Sequence, residues 1–224
     1  MIKRGFSLFF ILIFNAVLLF GQEIVTAGRY MEIVSEHYAT IRDFEGNITI
    51  RSGNTEMTGA VSYLSPSFMR IDFTRPAEQV IVFNGEVLTI YLHDIRAILT
   101  QTISQSRRSG AGANAGLSLL RNNYVPSFVT GPNPEPLDGA SGERVVRLRL
   151  TRRLVSEGFR EIILSVNPDT RLIRRMEGRT IADGEVRFDF TNIRTNQGIP
   201  EQRFIYDPPA LANTYHNFLF RDTD

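Results

Sequence analysis

The stretch from Phe68 to Leu92, FMRIDFTRPAEQVIVFNGEVLTIYL, decides the fold class. Within it, residues 69–73 (MRIDF) alternate apolar and charged side chains, which is the period of a β-strand with one buried face. The dipeptide Asn84-Gly85 stands between two apolar runs and is a strong signal for a two-residue β-hairpin. The sequence therefore predicts antiparallel strands joined by tight turns, each with one apolar and one polar face.

The same pattern extends along the chain in both directions. On the N-terminal side, two alternating segments flank the turn Ser52-Gly53-Asn54, and on the C-terminal side alternation recurs in segments such as 144–150, RVVRLRL. Apolar residues between Thr26 and Tyr38 recur instead at helical spacing, with Thr26 as the N-cap. We predict about ten strands in two meanders, preceded by one helix and separated by a loop–helix–loop at residues 104–142.

One-sided apolar strands must bury that side against a second sheet, helices or a ligand. Only two helical segments are visible, and the second, around Leu117–Leu120, is short. We therefore predict a strongly curved antiparallel sheet whose concave side is incompletely filled, which leaves a cavity. The alternative, which composition by itself favours, is a well-packed sandwich or barrel with no ligand site.

The composition excludes several classes of protein. The chain has 224 residues, no cysteine, 42% hydrophobic and 22% charged residues, and a formal net charge of +1. These fractions are those of an ordinary globular chain. Without cysteine there is no disulfide, thiolate metal site, cysteine nucleophile or lipid-modified cysteine. A net charge so close to zero gives no electrostatic case for binding nucleic acid.

The N-terminus has the pattern of a secretory signal peptide. Basic residues precede an apolar run from Phe6 to Phe20, and Gly21 follows it. The run has 15 residues, whereas a helix that spans a bilayer needs about 20. Gln22 stands where a bacterial lipoprotein would have its cysteine, so no lipid anchor is expected there. We expect residues 1–21 to be removed and residues 22–224 to form one exported domain, the alternative being a retained short anchor.

No set of residues indicates catalysis, a metal or a cofactor. His37, His93 and His216 are far apart, and no pair has the spacing of metal ligands. There is no G-x-S-x-G motif, and the glycines between 110 and 116 lack the context of a phosphate-binding loop. We predict no catalytic residue, no metal site and no cofactor. A secreted hydrolase is disfavoured because no nucleophile is paired with a base.

Arginines are concentrated between Arg144 and Arg187, many of them on predicted strands. We predict that they form a polar outer face and pair with nearby carboxylates. The functional alternative is docking to anionic lipid headgroups or to an acidic partner protein.

Two parts of the chain resemble the LolA-type periplasmic lipoprotein carriers. One is GAVSYLSPSFMRIDF at residues 59–73 with the later Asn84-Gly85, and the other is FDFTNIRTNQGIPEQRFIYDPP at residues 188–209. The order of elements is also similar: signal peptide, first helix, strand meander, central helical segment and second meander. One departure is Ser65, at a position where the family often has an arginine before the proline that opens the third strand.

The resemblance implies an incomplete β-barrel closed by helices over an apolar cavity. It also implies a periplasmic chaperone that takes acylated lipoproteins from an inner-membrane lipoprotein-releasing transporter and delivers them to an outer-membrane acceptor. We expect such a protein to act as a monomer. Two other functions share the fold: a periplasmic domain that senses lipoproteins or lipids, and a structural envelope protein with a filled core.

On this hypothesis the cavity is lined by apolar residues of the strands and covered by a lid of leucines from the central helix. The predicted lining residues are Met69, Ile71, Phe73, Leu88, Ile90, Leu148, Leu150, Ile162, Leu164, Phe188 and Phe190. The predicted lid residues are Leu117, Leu119 and Leu120.

Overall fold

The computed structural model describes residues 25–103, 113–139 and 142–218, with the side chains of 113–115 excepted. The expected signal peptide at residues 1–21 and the first part of the predicted loop, residues 104–112, lie outside the described residues.

The described residues form two α-helices, thirteen strands and one short 3-10 helix. The helices are α1 (Ala27–Ala39) and α2 (Ala113–Asn123), and the 3-10 helix is Glu201–Phe204. The strands are β1 (Asp43–Ser52), β2 (Thr55–Leu64), β3 (Phe68–Arg75), β4 (Val80–Asn84), β5 (Val87–Leu92), β6 (Ala97–Thr102), β7 (Tyr124–Phe128), β8 (Glu135–Pro136), β9 (Arg144–Arg152), β10 (Phe159–Val166), β11 (Ile173–Thr180), β12 (Glu185–Thr195) and β13 (Asn213–His216).

The strands form one large curved sheet that does not close. Its order is β13-β6-β5-β4-β3-β2-β1-β12-β11-β10-β9-β7, with β8 paired to β9 off this path. The two predicted meanders are β1–β6 and β9–β12, and they join because β1 pairs with β12. The prediction of a curved antiparallel sheet with an N-terminal helix is confirmed. One pairing departs from it, since β13 runs parallel to β6.

The register places all eleven predicted lining residues on one face of this sheet, which we call the inner face. Residues directly opposite each other in paired antiparallel strands point to the same side. Leu148 on β9 is opposite Leu164 on β10. From there, successive opposite residues lead across β11 to Phe188 on β12 and Ile50 on β1. The same face continues across β2, β3 and β4 to Ile90 on β5. Period-2 alternation was therefore sufficient to identify the inner face.

Both helices pack on the inner face at its β9–β11 end. Thr26 caps α1, because its hydroxyl accepts a hydrogen bond from the backbone N–H of Arg29 at 3.2 Å. The buried positions of α1 are Ala27, Met31, Val34 and Ser35, whereas Ile33 and His37 are only half-buried. Met31 and Val34 join Leu117 of α2 in the core.

Two further apolar clusters complete the core. On the inner face, Ile48, Ile50, Val61, Ile71 and Phe73 are buried together. On the opposite, outer face, a cluster of β4, β5 and β6 packs against the segment that follows β12; its members are Val80, Val82, Tyr91 and Ile98, with Tyr206 and Ala212 against them. The outer face is thus polar over most of the sheet and apolar where the C-terminal segment covers it.

Three details differ from the sequence prediction. Helix α2 begins at Ala113, four residues before the predicted start, and it leads directly into β7, which was not predicted. β13 was also not predicted as a strand.

Candidate functional site

An apolar cavity of about 570 Å³ lies between α2 and the inner face of β10–β12. Its volume is within the ~300–1,000 Å³ typical of small-molecule sites. The apolar and aromatic lining residues are Tyr38, Phe44, Leu117, Leu119, Leu120, Tyr124, Phe159, Ile162, Leu164, Leu172, Ile173, Met176, Phe190 and Ile193. Gly116, Gly158, Asn123 and Glu157 complete the lining.

The cavity has a buried floor and a partly exposed rim. Ile162 and Leu164 on β10 are 4% and 0% exposed, and they form the floor together with Tyr124. Met176 and Phe190 on the walls are half-buried. At the rim, Leu119 of α2 keeps 46% of its surface exposed. The cavity is therefore deepest at the sheet and opens beside α2.

A glycine on β11 makes room for one wall of the cavity. A Cβ at Gly178 would lie 2.7 Å from the ring of Phe159, which is closer than side chains approach. Phe159, at the start of β10, lines the cavity. Glycine at 178 therefore allows the Phe159 ring to lie against β11 and form part of the cavity wall.

Six of the fourteen residues predicted for the cavity and its lid lie around this space: Ile162, Leu164, Phe190, Leu117, Leu119 and Leu120. Leu148 and Leu150 on β9 are 0% and 1% exposed, and they pack in the core beneath the helices instead. Ile162 and Leu164 belong to the same core cluster and also border the cavity. The physical reason is the position of α1 and α2, which pack over the inner face of β9 and over only part of that of β10–β12.

The other predicted lining residues lie farther along the inner face. Ile71 and Phe73 are buried in the cluster of β1–β3, and Phe188 packs against that cluster. Three residues of β3 and β5 are half-buried: Met69, Leu88 and Ile90.

Several lining residues escaped the sequence prediction for identifiable reasons. Met176 and Phe44 continue the inner face, so the alternation signal was present for them. Ile193 breaks the period that Phe188 and Phe190 set, because the register between β1 and β12 shifts after Glu45. Ile193 faces the cavity because of this bulge, and only the strand pairing in the structure shows it.

The polar groups around the cavity have partners within its wall. The hydroxyl oxygen of Tyr38 accepts from the backbone N–H of Ile173 at 2.9 Å, and burial raises the pKa of Tyr38 to about 12. The Tyr124 hydroxyl donates to the carbonyl of Phe159 at 3.3 Å, and burial also raises the pKa of Tyr124. Both phenols therefore stay neutral at ordinary pH, and the wall near them is uncharged.

The charged side chain in the lining, Glu157, is at the rim. One of its carboxylate oxygens accepts from the Asn123 side-chain amide at 3.4 Å. Across the described part of the chain, no group of three His, Asp or Glu side chains could hold a metal ion. The arrangement is suited to holding an apolar group by burial rather than to polarising a substrate.

Helix α2 is tethered to α1. Arg121 lies 3.6 Å from the carboxylate of Glu32, which in turn is 2.7 Å from Arg29. At the position where the family often has arginine, the backbone N–H of Ser65 donates to the carbonyl of Arg42 at 2.7 Å. Among the described side chains, the charged contact of α2 is thus with the first helix and not with the third strand.

The outer-face arginines are largely paired with carboxylates. Arg147 is 2.9 Å from Glu135, and Arg175 is 2.5 Å from Asp189. The predicted polar outer face is therefore found, and most of its positive charge is neutralised locally.

Comparison with known proteins gives a family resemblance in sequence. No protein-family model matches the chain. An outer-membrane lipoprotein carrier protein of Nitrosospira multiformis is 23% identical over 178 residues, which cover 78% of this chain and 81% of the relative. The resemblance to the lipoprotein carriers is confirmed.

Solved structures show the same fold at low sequence identity. An uncharacterized conserved protein from Thermus thermophilus superposes with a TM-score of 0.55 at 11% identity, over 83% of this chain and 98% of that one. MucB, also solved in a complex with MucA from Pseudomonas aeruginosa, gives 0.53 at 16% identity, over 81% of this chain and 62% of MucB. The lipoprotein LppX of Mycobacterium tuberculosis gives 0.52 at 10% identity, over 78% and 97%.

No helix within the described ranges combines the length and the apolar character that crossing a membrane requires.

Proposed function

We propose that this protein is a periplasmic chaperone that binds the acyl chains of lipoproteins and carries them from the inner membrane towards the outer membrane. The observation that carries the proposal is the apolar cavity between α2 and β10–β12. Its walls are aliphatic and aromatic, and its two phenols are neutral and hydrogen-bonded. The sequence relationship to a lipoprotein carrier protein supports the same assignment.

The energetics of acyl chains explain why such a carrier needs a cavity. Exposing a methylene group to water costs ~0.8 kcal/mol, so a chain of about 16 carbons costs on the order of 10 kcal/mol. A lipoprotein with two or three chains cannot cross an aqueous compartment unshielded. The buried aliphatic side chains of Ile162 and Leu164 at the floor of the cavity offer the chains a surface that resembles the bilayer interior.

The lid explains how a carrier releases what it binds. In this structure Leu119 and Leu120 occupy one side of the cavity, and Leu119 is already 46% exposed. An entering acyl chain displaces these leucines into water, so the net affinity is lower than the gross burial of the chain. Leu117, at 5% exposure, holds α2 to the core meanwhile.

The cellular route follows the expectations from the sequence. We propose that residues 1–21 direct export and that residues 22–224 act as a single carrier domain in the periplasm. An inner-membrane lipoprotein-releasing transporter then serves as the donor and an outer-membrane protein as the acceptor.

Placing a charge in the cavity wall tests the proposal. We expect Phe190→Glu to lower the affinity for a fluorescent triacylated lipopeptide by more than tenfold, because a carboxylate at this half-buried position opposes insertion of acyl chains. Met176→Glu on the neighbouring strand should act in the same way. Val125→Glu is the matched control, since Val125 is 47% exposed on the edge strand β7 and outside the lining.

Thermal melts of each variant accompany the binding assay. If both cavity variants remain folded and bind the lipopeptide as tightly as the Val125→Glu control, the cavity is not the binding site.

A lipoprotein- or lipid-sensing protein is the second candidate, because a sensor passes its signal to a partner protein, and MucB, which shares this fold, is solved in a complex with the partner MucA. A carrier moves a labelled lipoprotein from donor to acceptor vesicles, whereas a sensor binds it without transfer. A structural protein with a filled core would bind none. Mass spectrometry of organic extracts of the purified protein separates this last case, because only a carrier or a sensor retains acyl species.

A further inference from the structure

The turn between β9 and β10 presents two adjacent aliphatic side chains to solvent. Leu154 is 63% exposed and Val155 is 77% exposed. The same turn continues into Glu157, Gly158 and Phe159, which line the apolar cavity. The exposed pair is therefore only a few residues from the rim of the cavity.

Two arginines precede this pair. Arg152 donates from Nη1 to the carbonyl of Val155 at 3.1 Å, which folds its guanidinium over the turn. The backbone N–H of Arg153 donates to the carbonyl of Asn123 at 2.8 Å, which ties the turn to the end of α2. Among the described residues, neither guanidinium has a carboxylate within ion-pair distance, unlike most arginines of the adjoining strands.

The neighbouring hairpin adds another exposed aliphatic side chain at the same end of the sheet. The strands β9, β10, β11 and β12 are consecutive antiparallel neighbours, so their turns alternate between the two ends of the sheet. The β9–β10 and β11–β12 turns therefore lie at the same end. Ile181 in the β11–β12 turn is 48% exposed, and Arg160 at the start of β10 donates to its carbonyl at 2.6 Å. The two turns are thus linked and present aliphatic groups at the same end of the sheet. We call this surface, formed by Arg152 to Val155 and Ile181, the turn patch.

We infer that the turn patch docks on the surface of an anionic phospholipid bilayer. Leu154 and Val155 enter the boundary between headgroups and acyl chains, and the guanidinium groups of Arg152 and Arg153 contact lipid phosphates. Guanidinium binds phosphate oxygens in a bidentate manner, and an apolar group beside unpaired cations is the pattern of interfacial membrane binding. The occupant is a lipid surface because the patch combines aliphatic tips with positive charge that has no carboxylate partner among the described residues.

Docking in this way brings the rim of the cavity against the bilayer. An acyl chain could then pass between membrane and cavity with little exposure to water. This last step rests on the proposed carrier function, whereas binding to the bilayer itself does not.

Flotation with lipid vesicles tests the inference. The purified protein should float with vesicles of equal parts phosphatidylcholine and phosphatidylglycerol and not with phosphatidylcholine alone. Each arginine near an anionic surface is worth about fivefold in affinity, so Arg152→Ser with Arg153→Ser should weaken binding by more than tenfold. Leu154→Ser with Val155→Ser should weaken it to a similar degree.

Leu211→Ser is the matched control for the aliphatic variants, since Leu211 is 85% exposed on the C-terminal segment. It carries the same N-terminus as the other variants, so any contribution from residues 1–24 is common to all of them. Flotation of the Leu154→Ser, Val155→Ser variant at the level of this control overturns the inference.

A tryptophan reporter gives a local measurement, because the chain has no tryptophan. The emission of Val155→Trp should shift to shorter wavelength when anionic vesicles are added, and that of Leu211→Trp should not. Unchanged emission from Val155→Trp overturns the inference.

The two proposals fail separately. The cavity variant Phe190→Glu should still float, and the Leu154→Ser, Val155→Ser variant should still bind lipopeptide in solution. If Phe190→Glu abolishes flotation and the turn variant does not, vesicle lipid is held in the cavity and the docking surface is rejected.

Discussion

Asp189 on β12 connects three arginines from three strands of the outer face. Its carboxylate lies 2.5 Å from Arg175 on β11, 2.7 Å from Arg187 on β12 and 2.8 Å from Arg51 on β1. Only 13% of the Asp189 side chain and 7% of the Arg175 side chain are exposed. Burial would lower the pKa of Arg175, but the hydrogen bonds that its guanidinium donates to Asp138 and Asp189 outweigh it and raise that pKa. One carboxylate therefore links arginines on both sides of the junction between the two meanders.

Replacing Asp189 with asparagine should lower the free energy of unfolding by about 2–3 kcal/mol, since the buried Arg175 guanidinium loses the less exposed of its two carboxylate partners. Asp183→Asn is the control, because its pair with Arg160 is exposed and such pairs contribute only ~0–1 kcal/mol. Urea unfolding of both variants measures the difference. Equal effects would show that the buried pairing adds nothing beyond surface charge.

At the scale of elements, α2 has two sides with different tasks. Leu117 is 5% exposed and packs in the core with α1 and β9–β11. Leu119, two residues later, faces the rim of the cavity and is 46% exposed. One side of the helix holds it to the fold, and the other is available to be displaced.

This division predicts unequal costs of truncation. Leu117→Ala should destabilise the protein by about 2–4 kcal/mol, because it leaves a cavity in packed surroundings. Leu119→Ala should cost less than about 1 kcal/mol, since this position is already half in water. Thermal or urea unfolding distinguishes the two. A larger loss for Leu119→Ala would mean that the exposed side of α2 is the anchored one.

At the scale of the whole molecule, the segment after β12 crosses the outer face and ends in β13 beside β6. It is fastened at β3, where Asp72 contacts Arg70 and Arg203. Arg70 also donates to the carbonyl of Arg203 at 3.2 Å. The ring centroid of the buried Phe204 lies 5.6 Å from the ring centroid of Phe68. The segment covers the apolar outer cluster and occupies the edge of β6, which would otherwise be open to pairing with another chain.

This attachment predicts a response to acid. Burial would raise the pKa of Asp72, but hydrogen bonds from Arg70 and Arg203 outweigh it and hold the pKa below its usual 3.8. A lowered carboxyl pKa contributes stability above the unfolded value, and that stability is lost as the pH falls through the folded value. Asp72→Asn should therefore lower stability by roughly 2 kcal/mol at neutral pH and show a weaker loss between about pH 5 and pH 2.

Urea unfolding at several pH values checks this expectation. Asp94→Asn, in the exposed turn between β5 and β6, is the control and should keep the pH dependence of the unsubstituted protein. The same acid response in Asp72→Asn as in this control would contradict the role of Asp72.

Local patterns determined much of the fold. Alternation at residues 69–73, the Asn84-Gly85 turn and the Thr26 cap depend on neighbours within a few residues, so they are legible in the sequence. Alternation also identified the inner face, because a strand's side chains change sides at every residue.

Only the tertiary structure decided what covers that face. Leu148 and Ile162 carry the same signal and both are buried in the core cluster under α1 and α2, yet only Ile162 also borders the cavity. The union of β1 with β12, and the bulge that turns Ile193 inward, depend on residues about 150 positions apart. Period and turn chemistry set the direction of a side chain, but whether it meets a helix, another strand or empty space depends on long-range packing.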